Sequence, residues 1–437
     1  MREKIQKDYL MRVKKICKTE LTPKNKITAI NQLAIPVLTY GFGIIDWPQY
    51  KIDQLDIKTR KILSRNKVIY RNQCHDRIYL PRRMGGLGLT EVNQSHRSTI
   101  VSLGQYLISS SDPLLRQILP HHTDTLTERT SLTKLARNFA HDIIVNEQET
   151  NQMPATKIAR KSRGRYSKSE LDIKKERWKG NRRAGKFLEE LEKNYIDKER
   201  SLRWLKNGTV GFDGERILIG AQDQGLMTNG FKKMAGLSQN DQCRFCHNGV
   251  ESTSHLLSNC EILLADGHYT ARHNRVCRYL HHRICTHYSL PVESKVWLHE
   301  PKPVTANDQV TVFYDHIIRP GRFIENSAIK PDIVVWDKLK RDALIIDVSV
   351  PSDYGLNRAE RDKVSKYQAL KNDLMSTWNL SSAEVIPVIV GATGLQKKNL
   401  TKYLEEIPGK PDPYEVQLSA IKGSITILKR ALGHRTS

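Results

Sequence analysis

Four residues with metal-ligand side chains, close together in the chain, constrain its fold more than any other feature. Cys243, Cys246, His255 and Cys260 have the spacing Cys-x2-Cys-x8-His-x4-Cys. Zn²⁺ prefers thiolate and imidazole ligands in a tetrahedron, and a Cys-x2-Cys pair supplies two thiolates from one tight turn. Residues 251–257 have the pattern of a helix start that would present the histidine. We therefore predict a structural zinc site with no open ligand position; the alternative is four unrelated residues.

A second pattern involves two aspartates on neighbouring strand-like segments. Asp332 begins the apolar run 331–336, and Asp347 lies late in the run 343–350. If these runs pair side by side, both carboxylates meet at one end of the sheet. Clustered carboxylates bind Mg²⁺, or Mn²⁺ as the alternative, which supports phosphodiester hydrolysis. The other interpretation is that Asp332 caps a strand and Asp347 is a core residue with its polar atoms satisfied.

A metal-dependent nuclease also needs a lysine that orients or polarises the attacking water. In the simplest arrangement it follows the second acid by two residues, where this chain has Ser349. The helix predicted at 357–378 offers two replacements, Lys363 and Lys366. A helical wheel places Lys363 at the centre of the inward-facing arc and Lys366 at its edge. We predict Lys363 as the catalytic lysine, with Lys366 as the second candidate and Tyr367 as an orienting neighbour.

The charge of the chain indicates a polyanionic partner. Lys and Arg number 71 against 47 Asp and Glu, a net charge of +24. Residues 157–186, the basic segment, contain thirteen Lys or Arg and three acids, with Tyr166, Trp178 and Phe187 in or beside it. Basic side chains interleaved with aromatic ones favour phosphate contact with base stacking, although a solvated linker is the alternative. The predicted nucleic-acid contacts are Arg82, Arg83, Lys161, Arg163, Arg165, Lys174, Lys175, Arg177, Arg182, Arg183, Arg272 and His273.

The sequence indicates an intracellular protein that is neither secreted nor membrane-bound. Seven cysteines, an odd number, argue against a disulfide framework and favour a reducing compartment. The N-terminus has no apolar stretch of the secretory type, and the most apolar segment, 33–45, is too short to span a bilayer. The histidines near the zinc pattern, His247, His268 and His273, are interpreted as packing or phosphate-contact residues rather than metal ligands.

Hydrophobic periodicity predicts helical structure first and an α/β sandwich with a mixed sheet later. Residues 1–110 are predicted to be mostly helical, interrupted by a basic, glycine-rich turn at 80–89 where the backbone approaches something closely. Helices are predicted at 130–146, 219–229 with an end at Gly230, 266–288, 357–378 and, as the last, 396–407. Strands are predicted at 310–318, 331–336, 343–350 and 385–390.

These motifs together resemble the C-terminal part of non-LTR retrotransposon proteins of the restriction-like-endonuclease type. The zinc pattern is followed by Lys330-Pro331-Asp332, a gap of fourteen residues and Asp347-Val348. Further similar segments are 221–224, 251–255, 269–274 and 348–351, and more weakly 85–89. The resemblance implies a helical thumb-like domain at 1–110, a basic helical linker at 111–235, a CCHC zinc knuckle at 236–265, an α/β endonuclease domain of PD-(D/E)XK type at 266–410 and a C-terminal tail at 411–437.

The resemblance also implies a function, which is nicking of a chromosomal DNA target that then primes reverse transcription. The expected partners are double-stranded DNA and the element's RNA, in the nucleus after passage through the cytoplasm. A reverse transcriptase palm carries an Asp-Asp turn, and this sequence has no Asp-Asp pair. We therefore expect nicking and nucleic-acid binding but not polymerisation. The alternatives are a non-catalytic DNA- or RNA-binding remnant or domesticated protein, and an unrelated zinc-dependent interaction protein.

Overall fold

The computed structural model describes residues 1–125, 131–142, 168–318 and 330–433. The chain divides into two compact units. One comprises Met1–Gly185 with Gly211–Arg216, and the other comprises Lys186–Val210 with Ile217–Ser437. The first change of unit therefore falls inside the segment predicted as a linker. The finer five-domain division stays a prediction.

The first unit is helical, which confirms the expectation for residues 1–110. Thr22 caps one helix by accepting a hydrogen bond from the Asn25 N–H, and Pro23 occupies its first turn, where proline is best tolerated. The α-helices up to the basic segment are α1 (Arg2–Cys17), α2 (Pro23–Ala29), α3 (Ile35–Phe42), α4 (Gln49–Arg65), α5 (His75–Tyr79), α6 (Val92–Ser109), α7 (Pro113–Thr125), α8 (Leu132–Asp142) and α9 (Lys168–Lys179).

The glycine-rich turn brings the backbone against another part of the same turn. The Gly88 N–H donates to the Leu80 carbonyl, and the buried Arg77 Nε donates to the Gly85 carbonyl at 2.8 Å. A Cβ atom on Gly86 would lie 2.0 Å from the Leu80 carbonyl oxygen, so no larger residue fits there. The close approach expected from the sequence is thus internal, because what the backbone approaches is Leu80.

The later elements lead into the α/β part of the second unit. They are α10 (Gly185–Glu192), α11 (Lys198–Ser201), α12 (Arg203–Asn207), α13 (Phe212–Gln222), α14 (Asn229–Met234), α15 (Glu261–Ala265), α16 (His268–His287), β1 (Val304–Ala306), β2 (Val310–Tyr314), β3 (Ile333–Asp337), β4 (Asp342–Ser349), α17 (Leu356–Lys366), α18 (Gln368–Thr377), β5 (Ser382–Ile389), α19 (Asn399–Glu406) and α20 (Pro413–Ala431). The helix expected at 219–229 is wrong in its extent, since α13 ends at Gln222 and α14 starts at Asn229.

Five strands form one mixed sheet in the order β1-β2-β3-β4-β5. The pairs β1–β2, β2–β3 and β3–β4 are antiparallel, and β4–β5 is parallel. The chain crosses from β4 to β5 through α17 and α18, which cover the sheet with buried Tyr367, Leu370 and Leu374 packed on Val334 and Ile345. The predicted mixed α/β sheet is therefore confirmed, with the short β1 added at one edge.

The segment predicted as a C-terminal tail contains a largely buried helix, so 396–407 is not the last helix. Asp412 caps α20 by accepting a hydrogen bond from the Tyr414 N–H, and Val416, Ile421 and Leu428 are buried along it. The helix packs against α16. In the described part of the chain, no helix combines the length and apolar character that a membrane span requires.

Candidate metal centres

The four predicted zinc ligands converge. Their ligand atoms all lie within 4.8 Å of one another, although the residues span eighteen positions of the chain. Cys243 Sγ lies 3.8 Å from Cys260 Sγ, and Cys246 Sγ lies 3.3 Å from His255 Nε2. Zn–S bonds of about 2.3 Å in a tetrahedron place two sulfurs roughly 3.8 Å apart. This Cys₃His cluster could therefore hold a metal such as zinc.

Hydrogen bonds around the Cys₃His cluster fix the chain segments that carry the ligands. Glu251, fully buried, accepts hydrogen bonds from the Arg244 backbone N–H and guanidinium at 2.6–2.8 Å. These bonds lower the pKa of Glu251 although burial opposes them. The Tyr269 hydroxyl accepts from the Cys260 N–H and lies within hydrogen-bond distance of the His255 carbonyl. Such outer contacts orient ligands before a metal arrives.

The sheet register brings the two predicted carboxylates together. Ile333 of β3 pairs with Ile346 of β4, so the next positions, Asp332 and Asp347, face one another across the strands. Directly opposed residues of an antiparallel pair project to the same face, with Cβ atoms about 5 Å apart. Asp332 and Asp347 form the carboxylate pair, which lies at one end of the sheet, as the sequence predicts.

Each carboxylate of the pair is held by specific contacts. The Val348 N–H donates to Asp332 Oδ2 at 2.6 Å, and His273 Nε2 lies 2.9 Å from Asp332 Oδ1. The Tyr367 hydroxyl donates to Asp347 Oδ1 at 2.5 Å. Asp347 is only 2% exposed, while the side chain of Asp332 is 17% exposed. The pair therefore combines one buried carboxylate with one that solvent reaches.

The electrostatics of the pair favour a cation. Burial raises the pKa of Asp347, and the charge of neighbouring Asp332 raises this pKa further, while Lys363 and Tyr367 lower it. Two like charges in a desolvated place repel, and a divalent cation relieves that repulsion. The donor set of carboxylate oxygens is the one that Mg²⁺ prefers. The carboxylate oxygens are thus chemically suited to a magnesium ion, whose presence here stays a prediction.

The two candidate lysines occupy different positions relative to the pair. Lys363 Nζ lies 2.6 Å from Asp347 Oδ2, and its side chain is 26% exposed. Lys366 Nζ lies 3.0 Å from the Tyr367 hydroxyl, so it is separated from Asp347 by one hydrogen-bonded group. Helix α17 ends at Lys366, and Tyr367 links it to α18. Lys363 therefore lies nearer to Asp347 than Lys366 does, and which lysine acts in catalysis stays a prediction.

Two residues predicted to contact nucleic acid are buried, and a third is paired with an acid of the same unit. Arg272 is 4% exposed and donates to the Ser424 hydroxyl and the Val350 carbonyl. Burial lowers the pKa of its guanidinium to about 10. Lys174 is 8% exposed and lies 3.0 Å from Glu91. Arg82 is paired with Glu215. The prediction is therefore wrong for Arg272, and the charges of Lys174 and Arg82 are offset within the fold.

Two aromatic residues of the basic segment are also core residues rather than stacking platforms. Trp178 and Phe187 are at most 1% exposed, and the Trp178 indole donates to the Ala184 carbonyl. Arg177 and Arg182 are exposed, as expected for phosphate contact. Arg83 is exposed as well, and Lys175 and Arg183 are partly exposed. Lys161, Arg163, Arg165 and Tyr166 lie outside the described residues.

One residue near the carboxylate pair was not anticipated from the sequence. Cys277 Sγ lies 3.2 Å from His273 Nε2, and both lie beside Asp332 in a group that could hold a metal ion. His273 therefore lies against Asp332 of the pair, and its interpretation as a packing or phosphate-contact residue stays a prediction. The available signal was the spacing of four, which places His273 and Cys277 on one face of α16.

No family model and no curated protein matches this chain.

Proposed function

We propose that the protein is a metal-dependent DNA endonuclease whose centre is the carboxylate pair, on a sheet of restriction-endonuclease type. The observation that carries this proposal is the convergence of Asp332, Asp347 and Lys363 at one end of the sheet. A single pair of hydrogen-bonded or charged residues is common in any core. Here two carboxylates face one another, one of them is buried, and a lysine lies 2.6 Å from the buried one. A phosphodiester-hydrolysing centre explains this arrangement more simply than a purely structural role does.

Individual residues of the chain have different roles in the proposed reaction. Asp332 and Asp347 would hold Mg²⁺, which when bound offsets charge on the phosphate and acidifies water. Lys363 is placed to orient the attacking water and to offset developing negative charge on the phosphate. Tyr367 holds Asp347 in its rotamer through the 2.5 Å hydrogen bond. Lys366 stabilises the Tyr367 hydroxyl and acts through it.

The substrate of the proposed reaction is a polyanion, which fits the charge of the chain. The exposed Arg177 and Arg182 add to a net charge of +24 and supply contacts to phosphates, of double-stranded DNA or of the element's RNA. The zinc-bound Cys₃His cluster would stabilise the fold of the second unit. We place this activity in the nucleus, where a chromosomal target would be. A nucleic-acid-binding remnant without catalytic activity would keep the net positive charge, but it would not need the ion pair between Lys363 and Asp347.

The experiment that tests the assignment compares Lys363→Ala with Lys366→Ala in nicking of supercoiled plasmid with Mg²⁺. Loss of a positioned proton-transfer or charge-stabilising group slows a reaction by about 10²–10⁴-fold, which we expect for Lys363→Ala. Lys366→Ala should lose less than about 10-fold, because its contact with Asp347 is indirect. Equal effects of the two substitutions, or none from Lys363→Ala, would contradict the proposed roles. Zinc content and circular dichroism confirm that both variants are folded.

A further inference from the structure

A nitrogen, a sulfur and an oxygen donor meet beside the carboxylate pair. They belong to His273 and Cys277 of α16 and to Asp332, and each ligand atom lies within 4.8 Å of the other two. His273 Nε2 lies 2.9 Å from Asp332 Oδ1 and 3.2 Å from Cys277 Sγ. Metal–ligand bonds of about 2.0–2.3 Å separate neighbouring donors by roughly 3–4 Å. The three atoms are therefore spaced like one face of a coordination shell.

The protonation state of His273 Nε2 allows two alternative hydrogen-bond arrangements in this group. A single imidazole nitrogen carries either a proton or a lone pair. If His273 Nε2 donates to Asp332, it cannot accept the thiol proton of Cys277. If it accepts that proton, it faces the carboxylate oxygen with a lone pair at 2.9 Å. A metal cation bound by all three atoms replaces these alternatives with one arrangement, because each donor then directs a lone pair to the same centre.

The donor chemistry selects the kind of ion. Thiolate and imidazole are ligands of Zn²⁺, Co²⁺ and Fe²⁺, whereas Mg²⁺ binds oxygen. We propose that His273, Cys277 and Asp332 bind one transition-metal ion of the Zn²⁺ or Co²⁺ class, separate from the metal of the Cys₃His cluster. Binding releases the Cys277 thiol proton to solvent. The ion reaches the site past His273 and Asp332, whose side chains are 28% and 17% exposed, while Cys277 is 1% exposed.

This site has a consequence that rests on the proposed nuclease function. Asp332 Oδ2 is held by the Val348 N–H at 2.6 Å, so Oδ1 is the oxygen less constrained by the backbone. The same Oδ1 faces His273. A transition metal on His273 and Cys277 therefore competes with Mg²⁺ for Asp332. Micromolar Zn²⁺ should then inhibit Mg²⁺-dependent nicking, and His273→Ala should relieve that inhibition.

Cobalt titration of the whole chain, prepared with one Zn²⁺ per chain for the Cys₃His cluster, tests the site directly. We expect one additional Co²⁺ per chain, with an ultraviolet thiolate-to-cobalt charge-transfer band. Cys277→Ser, which is nearly isosteric, should lose the band, and His273→Ala should weaken Co²⁺ binding at least about 10-fold. The matched control is Cys285→Ser, because Cys285 is another buried cysteine of α16 and pairs with His281 instead of a carboxylate. This control should bind Co²⁺ as the wild type does.

The outcomes separate the metal site from the nuclease. A wild-type protein that binds no Co²⁺ in addition to its one Zn²⁺, or a Cys277→Ser variant that retains the band, would overturn the site. If such a protein still nicks plasmid in an Asp347-dependent way, the site fails and the nuclease stands. If Co²⁺ binds as expected but Asp347→Asn nicks as fast as the wild type, the nuclease fails and the site stands. Zinc inhibition equal in His273→Ala and the wild type would overturn the competition for Asp332.

Discussion

Tyr367 offers the sharpest test of how the carboxylate pair is positioned. Its ring is fully buried among the apolar residues that α18 packs on the sheet. Its hydroxyl donates a hydrogen bond to Asp347 at 2.5 Å and accepts one from the Lys366 ammonium at 3.0 Å. Tyr367→Phe keeps the ring and its packing but removes one hydroxyl. The substitution therefore isolates the hydrogen bond from the hydrophobic contribution of the side chain.

The expected magnitude follows from the surroundings of Asp347. A hydrogen bond to a charged group contributes about 1.5–3 kcal/mol, and Asp347 is 2% exposed, so water cannot readily replace the hydroxyl. We expect Tyr367→Phe to lower the free energy of unfolding by about 2 kcal/mol. We also expect nicking to slow about 10–100-fold, as for loss of a group that orients a metal ligand.

The assay combines urea unfolding with plasmid nicking on the same preparations. Tyr354→Phe is the control, since the Tyr354 hydroxyl receives a hydrogen bond from Gln224 but the residue is 44% exposed. It should change the free energy of unfolding by less than about 0.5 kcal/mol. Unchanged stability and unchanged nicking in Tyr367→Phe would refute the claim that this hydroxyl positions Asp347. A stability loss with full activity would restrict Tyr367 to a structural role.

Three further predictions concern other parts of the molecule. Burial raises the pKa of Asp353 to about 6 from 3.8, so its stabilisation is present at low pH and is lost as pH rises through about 6. The wild type should therefore lose about 3 kcal/mol of unfolding free energy relative to Asp353→Asn between pH 4 and 7 in urea titrations. Cys246→Ser should lower zinc content and amide-exchange protection around the Cys₃His cluster, and unchanged zinc content would contradict the ligand assignment. Arg177→Ala should weaken DNA binding and reduce its salt dependence, whereas Arg272→Met should lower stability by about 1–3 kcal/mol without changing that salt dependence.

The sequence predicted the carboxylate pair because the relevant information is local. Asp332 immediately precedes β3 and Asp347 lies on β4, and a short turn joins these two strands, so alternation and pairing alone bring the two carboxylates together. The same holds for the Cys₃His cluster, where ligand spacing within eighteen residues limits the geometry. Lys363 required one more step, a helical face directed at the sheet, and periodicity supplied it.

Features that depend on distant contacts could not be predicted from the sequence in this way. Arg272 was expected to contact nucleic acid, but its side chain crosses Gly423 of α20, where a Cβ would lie 2.5 Å from Arg272 Cγ. That burial depends on a helix more than 140 positions later, in a segment predicted only as a tail. The short β1 has three residues and a mostly exposed pattern, which leaves little periodicity to detect.

The most direct test of the nuclease assignment is the single-turnover rate of plasmid nicking by wild type and Asp347→Asn at saturating Mg²⁺. The amide keeps the size of the side chain and can still pair with Tyr367, but it removes the charge that would hold the cation. We predict that the wild type converts supercoiled plasmid to the open circle, that EDTA abolishes this conversion, and that Asp347→Asn is slower by at least about 10²-fold. Equal rates for the two proteins, or a wild type that binds DNA without nicking it, would contradict the account.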